Sequence, residues 1–113
     1  MNGGSAPAEV RQISAKTLKA MLDAGESFEF VDVRTGSERA IARIEGSRLL
    51  DQEYGNHIMG LDRETTLVFH CHHGIRSQAA AEYCVENGFR NVCNVAGGID
   101  AWSLTVDPSV PRY

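Results

Sequence analysis

Apolar residues fall in short runs along the chain, each cut off by glycine, proline or a polar cluster, and strand-like runs alternate with helix-like ones. Val10 to Ile13 reads as a short extended segment. Ser14 can cap the helix that follows, in which Leu18, Met21 and Leu22 recur at helical spacing and Gly25 marks the stop. Phe28 to Val33 (FEFVDV) reads as a strand halted by polar Arg34-Thr35-Gly36. A short helix over Ser37 to Ala42, a third strand over Ser47 to Leu50 and a helix over residues 52–60 come next. TLVFH, Thr66 to His70, is a β-branched and aromatic strand. The alanine-rich stretch Arg76 to Asn87 predicts a helix ended by Asn87-Gly88, with Phe89 placed to pack against its last turn. Val92 to Val95 is a further strand, and Gly97-Gly98 turns the chain into a last helix around Asp100 to Leu104, where Trp102 reads as core.

Strand starts recur roughly every 18 to 26 residues, a spacing that suits crossover connections rather than hairpins. The pattern therefore predicts an α/β fold: a central parallel sheet of about five strands flanked by helices on both faces. In such sheets ligands bind beyond the C-terminal ends of the strands. One domain over residues 9–104 accounts for the pattern. Residues 1–8, with Gly3-Gly4-Ser5, read as a flexible linker or cloning remnant, and residues 105–113, with two prolines, as an irregular tail.

Composition narrows the function classes. A chain of 113 residues suits one compact domain. The net charge of −4 and the lack of a Lys/Arg cluster argue against a nucleic-acid surface, although a local site can still attract small anions. No segment reads as a signal peptide or a membrane span. The three cysteines, Cys71, Cys84 and Cys93, are odd in number, widely spaced and free of any CxxC pair, which points to a reducing compartment and a cytoplasmic location.

Cys71 stands where a strand hands over to a helix, in 68-VFHCHHGIRSQAAA-81. Three features favour its thiolate: the positive end of the following helix, the successive backbone N–H groups of His72 to Arg76, and the charge of Arg76. Gly74 gives the loop the freedom to curl. Cys84 and Cys93 read instead as buried core residues. A metal site is disfavoured because His70, His72 and His73 lack ligand spacing and neighbouring strand residues point to opposite faces. His70 reads as a strand-end residue with its own hydrogen bond, and His72 and His73 as lining the mouth. Phosphatases of the C-x₅-R kind also use a thiolate, a curled loop and an arginine, but here only four residues separate Cys71 from Arg76, a smaller cradle.

The loop 71-CHHGIRS-77 resembles the active loop C-x-x-G-x-R-S/T of rhodaneses, and 31-VDVR-34, 88-GFRNV-92 and 96-AGGIDAW-102 recur in that family's order. The resemblance spans about residues 10 to 104 and departs at 42-ARIEGS-47, where the family carries a stretch like G-H-I-P-G-A. It implies a sulfurtransferase in which Cys71 takes sulfur from a small anionic donor such as thiosulfate and passes it, as a persulfide, to cyanide or a thiol. His72, His73, Gly74, Ile75, Arg76 and Ser77 would bind substrate, Asp32 and Arg34 would support the loop from behind, and no cofactor or metal is implied. The alternative is a relay module that hands sulfur to an acceptor protein with little turnover on small molecules. The tail 105-TVDPSVPRY-113 is similar to the ends of rhodanese domains fused to adenylating enzymes, which implies a domain cut from a longer chain.

Overall fold

The structure, a computed structural model, describes residues 8–113, so the expected N-terminal linker lies outside the described residues except for Ala8. Among the described residues five strands and five helices alternate: β1 (Arg11–Ile13), α1 (Ala15–Asp23), β2 (Glu29–Asp32), α2 (Gly36–Ile41), β3 (Arg48–Leu49), α3 (Gln52–Met59), β4 (Thr66–His70), α4 (Ile75–Glu86), β5 (Asn91–Val95) and α5 (Gly98–Thr105). Every strand pair is parallel, and the sheet order is β1-β5-β4-β2-β3. This is the α/β architecture expected from the pattern.

Strand alternation sorts the core into two layers. Phe30, Val68, Cys93 and Val95 face Ala15 and Leu18 of α1 and Ile99 and Trp102 of α5. Val31, Leu67, Phe69 and Val92 face Tyr54 and Ile58 of α3 and Ala81 and Cys84 of α4. A side-chain period of two thus puts successive strand residues into opposite layers, which is why β4 carries consecutive apolar residues, Leu67 to Phe69. The core assignments of Cys84, Cys93 and Trp102 match their burial.

Local chemistry sets the helix boundaries. Ser14 caps α1, its hydroxyl accepting from Thr17 N–H, and Asp51 caps α3 through Tyr54 N–H. Thr35 and Glu38 form a reciprocal capping box at α2, of the kind typically worth about 1 kcal/mol. At the end of α4 the N–H groups of Asn87, Gly88 and Phe89 take the last free carbonyls, Gly88 adopts φ +97°, and Phe89 is fully buried. The divergent segment 42–47 closes as a turn: Gly46 has φ +91°, Ser47 N–H and hydroxyl both donate to Ile44 O, and Ile44 is buried.

The register sets up the site. Asp32 pairs with His70 across β2 and β4, and Phe69 with Asn94 across β4 and β5. The C-terminal ends of the three central strands therefore finish side by side, and the loops leaving them converge.

Candidate active site

Cys71 follows the last residue of β4, and its side chain is buried, 1 % exposed. The chain then turns through His72 and His73 to Gly74, which enters α4 with φ +100° and offers no side-chain cap. The first-turn N–H groups that a cap would normally take point at sulfur instead. Gly74 N–H lies 3.2 Å and Ser77 N–H 3.3 Å from Sγ, and the Ser77 hydroxyl lies 3.2 Å away. Burial alone would push the Cys71 thiol up. Hydrogen bonds from the Ser77 hydroxyl and from the N–H groups of Ser77, Gly74 and His73 outweigh it, so the thiol ionises below its ordinary value. Cys84 has no such donors, and burial pushes its thiol up to about 11.

The N–H groups can aim inward because the loop's carbonyls are engaged from outside. Ile99 N–H donates to Cys71 O at 2.9 Å and Asp100 N–H to His72 O at 3.1 Å. These donors belong to the first turn of α5, which approaches closely only because Gly98 carries no side chain. A Cβ there would run into the carbonyl oxygens of Cys71 and His72, and its φ of +57° already favours glycine. Asn94 of β5 adds a second brace. Its Nδ2 donates to Gly74 O (3.1 Å) and Gln12 Oε1 (3.0 Å), leaving Oδ1 2.6 Å from the Ser77 hydroxyl.

Behind the loop, Arg34 grips Asp32 with two bonds of 2.8 Å, and Arg39 reaches the same carboxylate at 2.9 Å. Burial would raise the Asp32 pKa, but the bond from Arg34 and the nearby positive charges hold it below the usual carboxylate range. Arg34 also donates to Ala42 O at 2.7 Å, tying the β2 end to the turn after α2. The ion pair between Asp32 and Arg34 is fully buried. His70 is fully buried with Nδ1 3.4 Å from Cys71 O, while its Nε2 lacks a hydrogen-bond partner 3.8 Å from Asp32. Burial pushes its pKa down to about 4, so it is neutral at pH 7.

The outer wall is partly as expected. Ile75 projects into solvent, 81 % exposed. Arg76 is turned to Glu38 of α2 in a two-bond pair of 2.6 and 2.9 Å, so its charge is matched by a carboxylate. His72 and His73 stack with ring centroids 3.9 Å apart, and His73 lies 4.0 Å from Asp100. The strand-alternation argument against convergence of these histidines does not hold here, because β4 has already ended at His70. Among the described residues, His72, His73 and Asp100 bring three ligand-type atoms within 4.8 Å of one another. Stacked rings direct their in-plane lone pairs side by side rather than to one point, and Asp100 is engaged by Arg112 at 2.9 Å.

Four residues that shape the loop's surroundings were not read as site residues from the sequence: Glu38, Asn94, Gly98 and Tyr113. Asn94 was detectable as a polar residue within a buried strand run, and Gly98 as part of a double glycine after a strand. Tyr113 stacks on His72 at 3.9 Å and places its hydroxyl 3.1 Å from Arg34 Nη1 and 2.7 Å from Glu38 Oε2.

The Rhodanese-like domain family model matches residues 14–105. A thiosulfate sulfurtransferase, GlpE, from Shewanella oneidensis is 38 % identical over 93 residues, covering 81 % of this chain and 91 % of that protein. A probable adenylyltransferase/sulfurtransferase, MoeZ, from Mycobacterium tuberculosis is 30 % identical over 104 residues, which is 89 % of this chain but only 26 % of MoeZ. Among solved structures, a rhodanese-like domain protein from Staphylococcus aureus superposes with a TM-score of 0.73 at 27 % identity, covering 92 % of this chain and 99 % of that one.

Proposed function

The chain belongs to the rhodanese-like domain family, and from that premise we propose that it is a thiosulfate sulfurtransferase working through a persulfide on Cys71. The observation that carries the assignment of Cys71 is the ring of donors around its sulfur: Gly74 N–H, Ser77 N–H and the Ser77 hydroxyl, all within 3.3 Å. A thiolate held this way is favoured over that of an ordinary cysteine and sits at the C-terminal end of β4.

In the first half-reaction the Cys71 thiolate attacks the outer sulfur of thiosulfate. A new S–S bond forms, the sulfur–sulfur bond of the donor breaks, and sulfite leaves with the bonding pair. The persulfide anion carries its charge on the terminal sulfur, where the donors of the loop stabilise it. In the second half-reaction cyanide or a thiolate attacks that terminal sulfur, and the Cys71 thiolate leaves. Charge balances in each half, and the two substrates never meet, so ping-pong kinetics follow. Glu38 sets the position of Arg76 beside the loop, an anionic donor competes with that carboxylate for the guanidinium, and the stacked His72 and His73 form the neighbouring wall. The loop, one residue shorter than C-x₅-R, suits a single sulfur atom rather than a phosphate group. Neither a metal nor a cofactor enters either half-reaction.

A second reading, delivery of the persulfide sulfur to an acceptor protein, draws support from the similarity to MoeZ. Free cysteines and a thiol-based reaction suit the cytoplasm, where we place the protein; no described helix is long and apolar enough to cross a membrane. Intact mass after incubation with thiosulfate tests the assignment. Wild type should gain one sulfur, about 32 Da, and Cys71→Ser none. A persistent gain in the Cys71→Ser protein would move the chemistry to another residue. Fast thiocyanate production from thiosulfate and cyanide favours the enzyme, and a stable persulfide with negligible turnover favours the relay.

A further inference from the structure

The tail after α5 returns across the site instead of leaving the domain. Val106 and Val110 pack against the layer of α1 and α5, and Val106 and Asp107 N–H both donate to Trp102 O. Pro108 and Pro111 stiffen the return. Beyond that anchor, the last two residues touch each of the three loops that leave the central strands. Arg112 donates to Asp100, in the first turn after β5, at 2.9 Å. The Tyr113 ring lies on His72, in the loop after β4, with centroids 3.9 Å apart and planes only 12° from parallel. The Tyr113 hydroxyl accepts from Arg34 and donates to Glu38, both in the segment after β2. Cys71 itself begins the middle one of these loops, and it is only 1 % exposed.

We propose that the segment Asp107–Tyr113 is a strap that closes the mouth of the Cys71 site, with Tyr113 as the residue that decides what reaches the sulfur. The inference rests on the reading of Cys71 as the reacting thiol. Val110 anchors the strap's base, and the grip of its last two residues is peripheral: one ion pair with an exposed arginine, one ring stack and two hydroxyl hydrogen bonds. Such contacts open locally at far smaller cost than the core. A donor as small as thiosulfate needs only a brief opening. A bulky thiol, or the arm of an acceptor protein, has to displace the ring from His72, and its own contacts with Arg34 and Glu38 would replace those of the tyrosine hydroxyl. Tyr113 therefore acts as a specificity-determining residue that penalises large acceptors more than small ones.

The test reads thiol access directly and needs no sulfur transfer. Native protein is alkylated with iodoacetamide, and the label on Cys71 is followed by peptide mass, with Cys71→Ser as the blank. Tyr113→Ala should speed Cys71 labelling about tenfold, the effect of losing roughly one net hydrogen bond's worth of closure. Tyr113→Phe keeps the ring and loses both hydroxyl contacts, and should fall between. Arg112→Ala frees the strap from Asp100 without touching the loop and should shift the rate the same way. If Tyr113→Ala disturbs the fold, Cys84 and Cys93 will label too, and the other two variants then decide. In turnover, kcat/KM for glutathione should rise in Tyr113→Ala more than that for cyanide. Unchanged Cys71 labelling in folded variants, or equal gains for both acceptors, overturns the strap. Absence of a thiosulfate-derived persulfide in wild type would instead overturn the sulfurtransferase reading and leave the labelling result standing.

Discussion

Ser77 has one hydroxyl proton and two acceptors for it. Asn94 Oδ1 is 2.6 Å away and Cys71 Sγ 3.2 Å away. Asn94 cannot turn its amide around, because its Nδ2 already serves the carbonyls of Gly74 and Gln12. With a neutral thiol, the proton sits on the Asn94 side; with a thiolate or persulfide, it is worth more on sulfur, as hydrogen bonds to charged groups are about twice as strong. The Ser77 hydroxyl thus follows the charge on sulfur through the cycle. Ser77→Ala should slow iodoacetamide labelling of Cys71 at neutral pH about tenfold and move the midpoint of its pH–rate curve upward. The sign follows from the pKa: the thiol ionises below its ordinary value, so thiolate is lost as pH falls through that lowered value, and removing a donor moves the loss to higher pH. A pH–rate curve that coincides with wild type would remove Ser77 from the account.

At the scale of elements, two glycines with opposite roles make a sharp comparison. Gly98 begins α5 at φ +57° with backbone oxygens in the space a Cβ would need, whereas Gly55 lies inside α3 with only Leu50 at ordinary contact distance, 3.9 Å. Urea unfolding should show Gly98→Ala destabilised by about 3 kcal/mol and Gly55→Ala stabilised by about 0.5–1 kcal/mol. Equal effects at the two sites would mean that α5 does not approach the loop as closely as the structure has it. These elements also mark where sequence reading stops. Helices and strands were legible because punctuation is local: Ser14, Asp51 and Asn87-Gly88 act on their own turns. The loop 71–77 was legible because its donors and its sulfur are neighbours in the chain. Glu38 reaches Arg76 across 38 positions, Asn94 reaches Ser77 across 17 and Tyr113 reaches Arg34 across 79, and only strand order decides such meetings. The same limit explains Arg76, read as a positive charge that favours the thiolate and found paired with a carboxylate.

At the scale of the whole molecule, the buried cluster behind the loop makes stability depend on pH. His70 is held neutral down to about 4, but in the unfolded chain it titrates near 6.5. Between those values the unfolded state binds the extra proton, so stability falls as pH drops through this window, by about 3 kcal/mol at its lower end. Asp32 adds to the loss further down, as its carboxyl is held below the usual range and its ion pairs disappear when it protonates. Urea midpoints should decline from about pH 7 to about pH 4. His70→Phe, which keeps a ring against Phe30, should flatten the upper part of that decline. A wild-type midpoint that holds constant across the window would show that the histidine is not the responsible group.

The strand order has a consequence for the protein's own synthesis. β5 is the last strand made, yet it is inserted between β1 and β4, and it brings Asn94 and the first turn of α5 to the loop. When the ribosome has released Cys71 but not residues 91–100, the braces that turn the loop's N–H groups toward sulfur are still missing. The local donors Gly74 and Ser77 are already in the chain by then, but the fixed arrangement that lowers the thiol's ionisation belongs to the completed fold. The topology thus guards against sulfur being loaded onto a polypeptide that has not yet reached its native state.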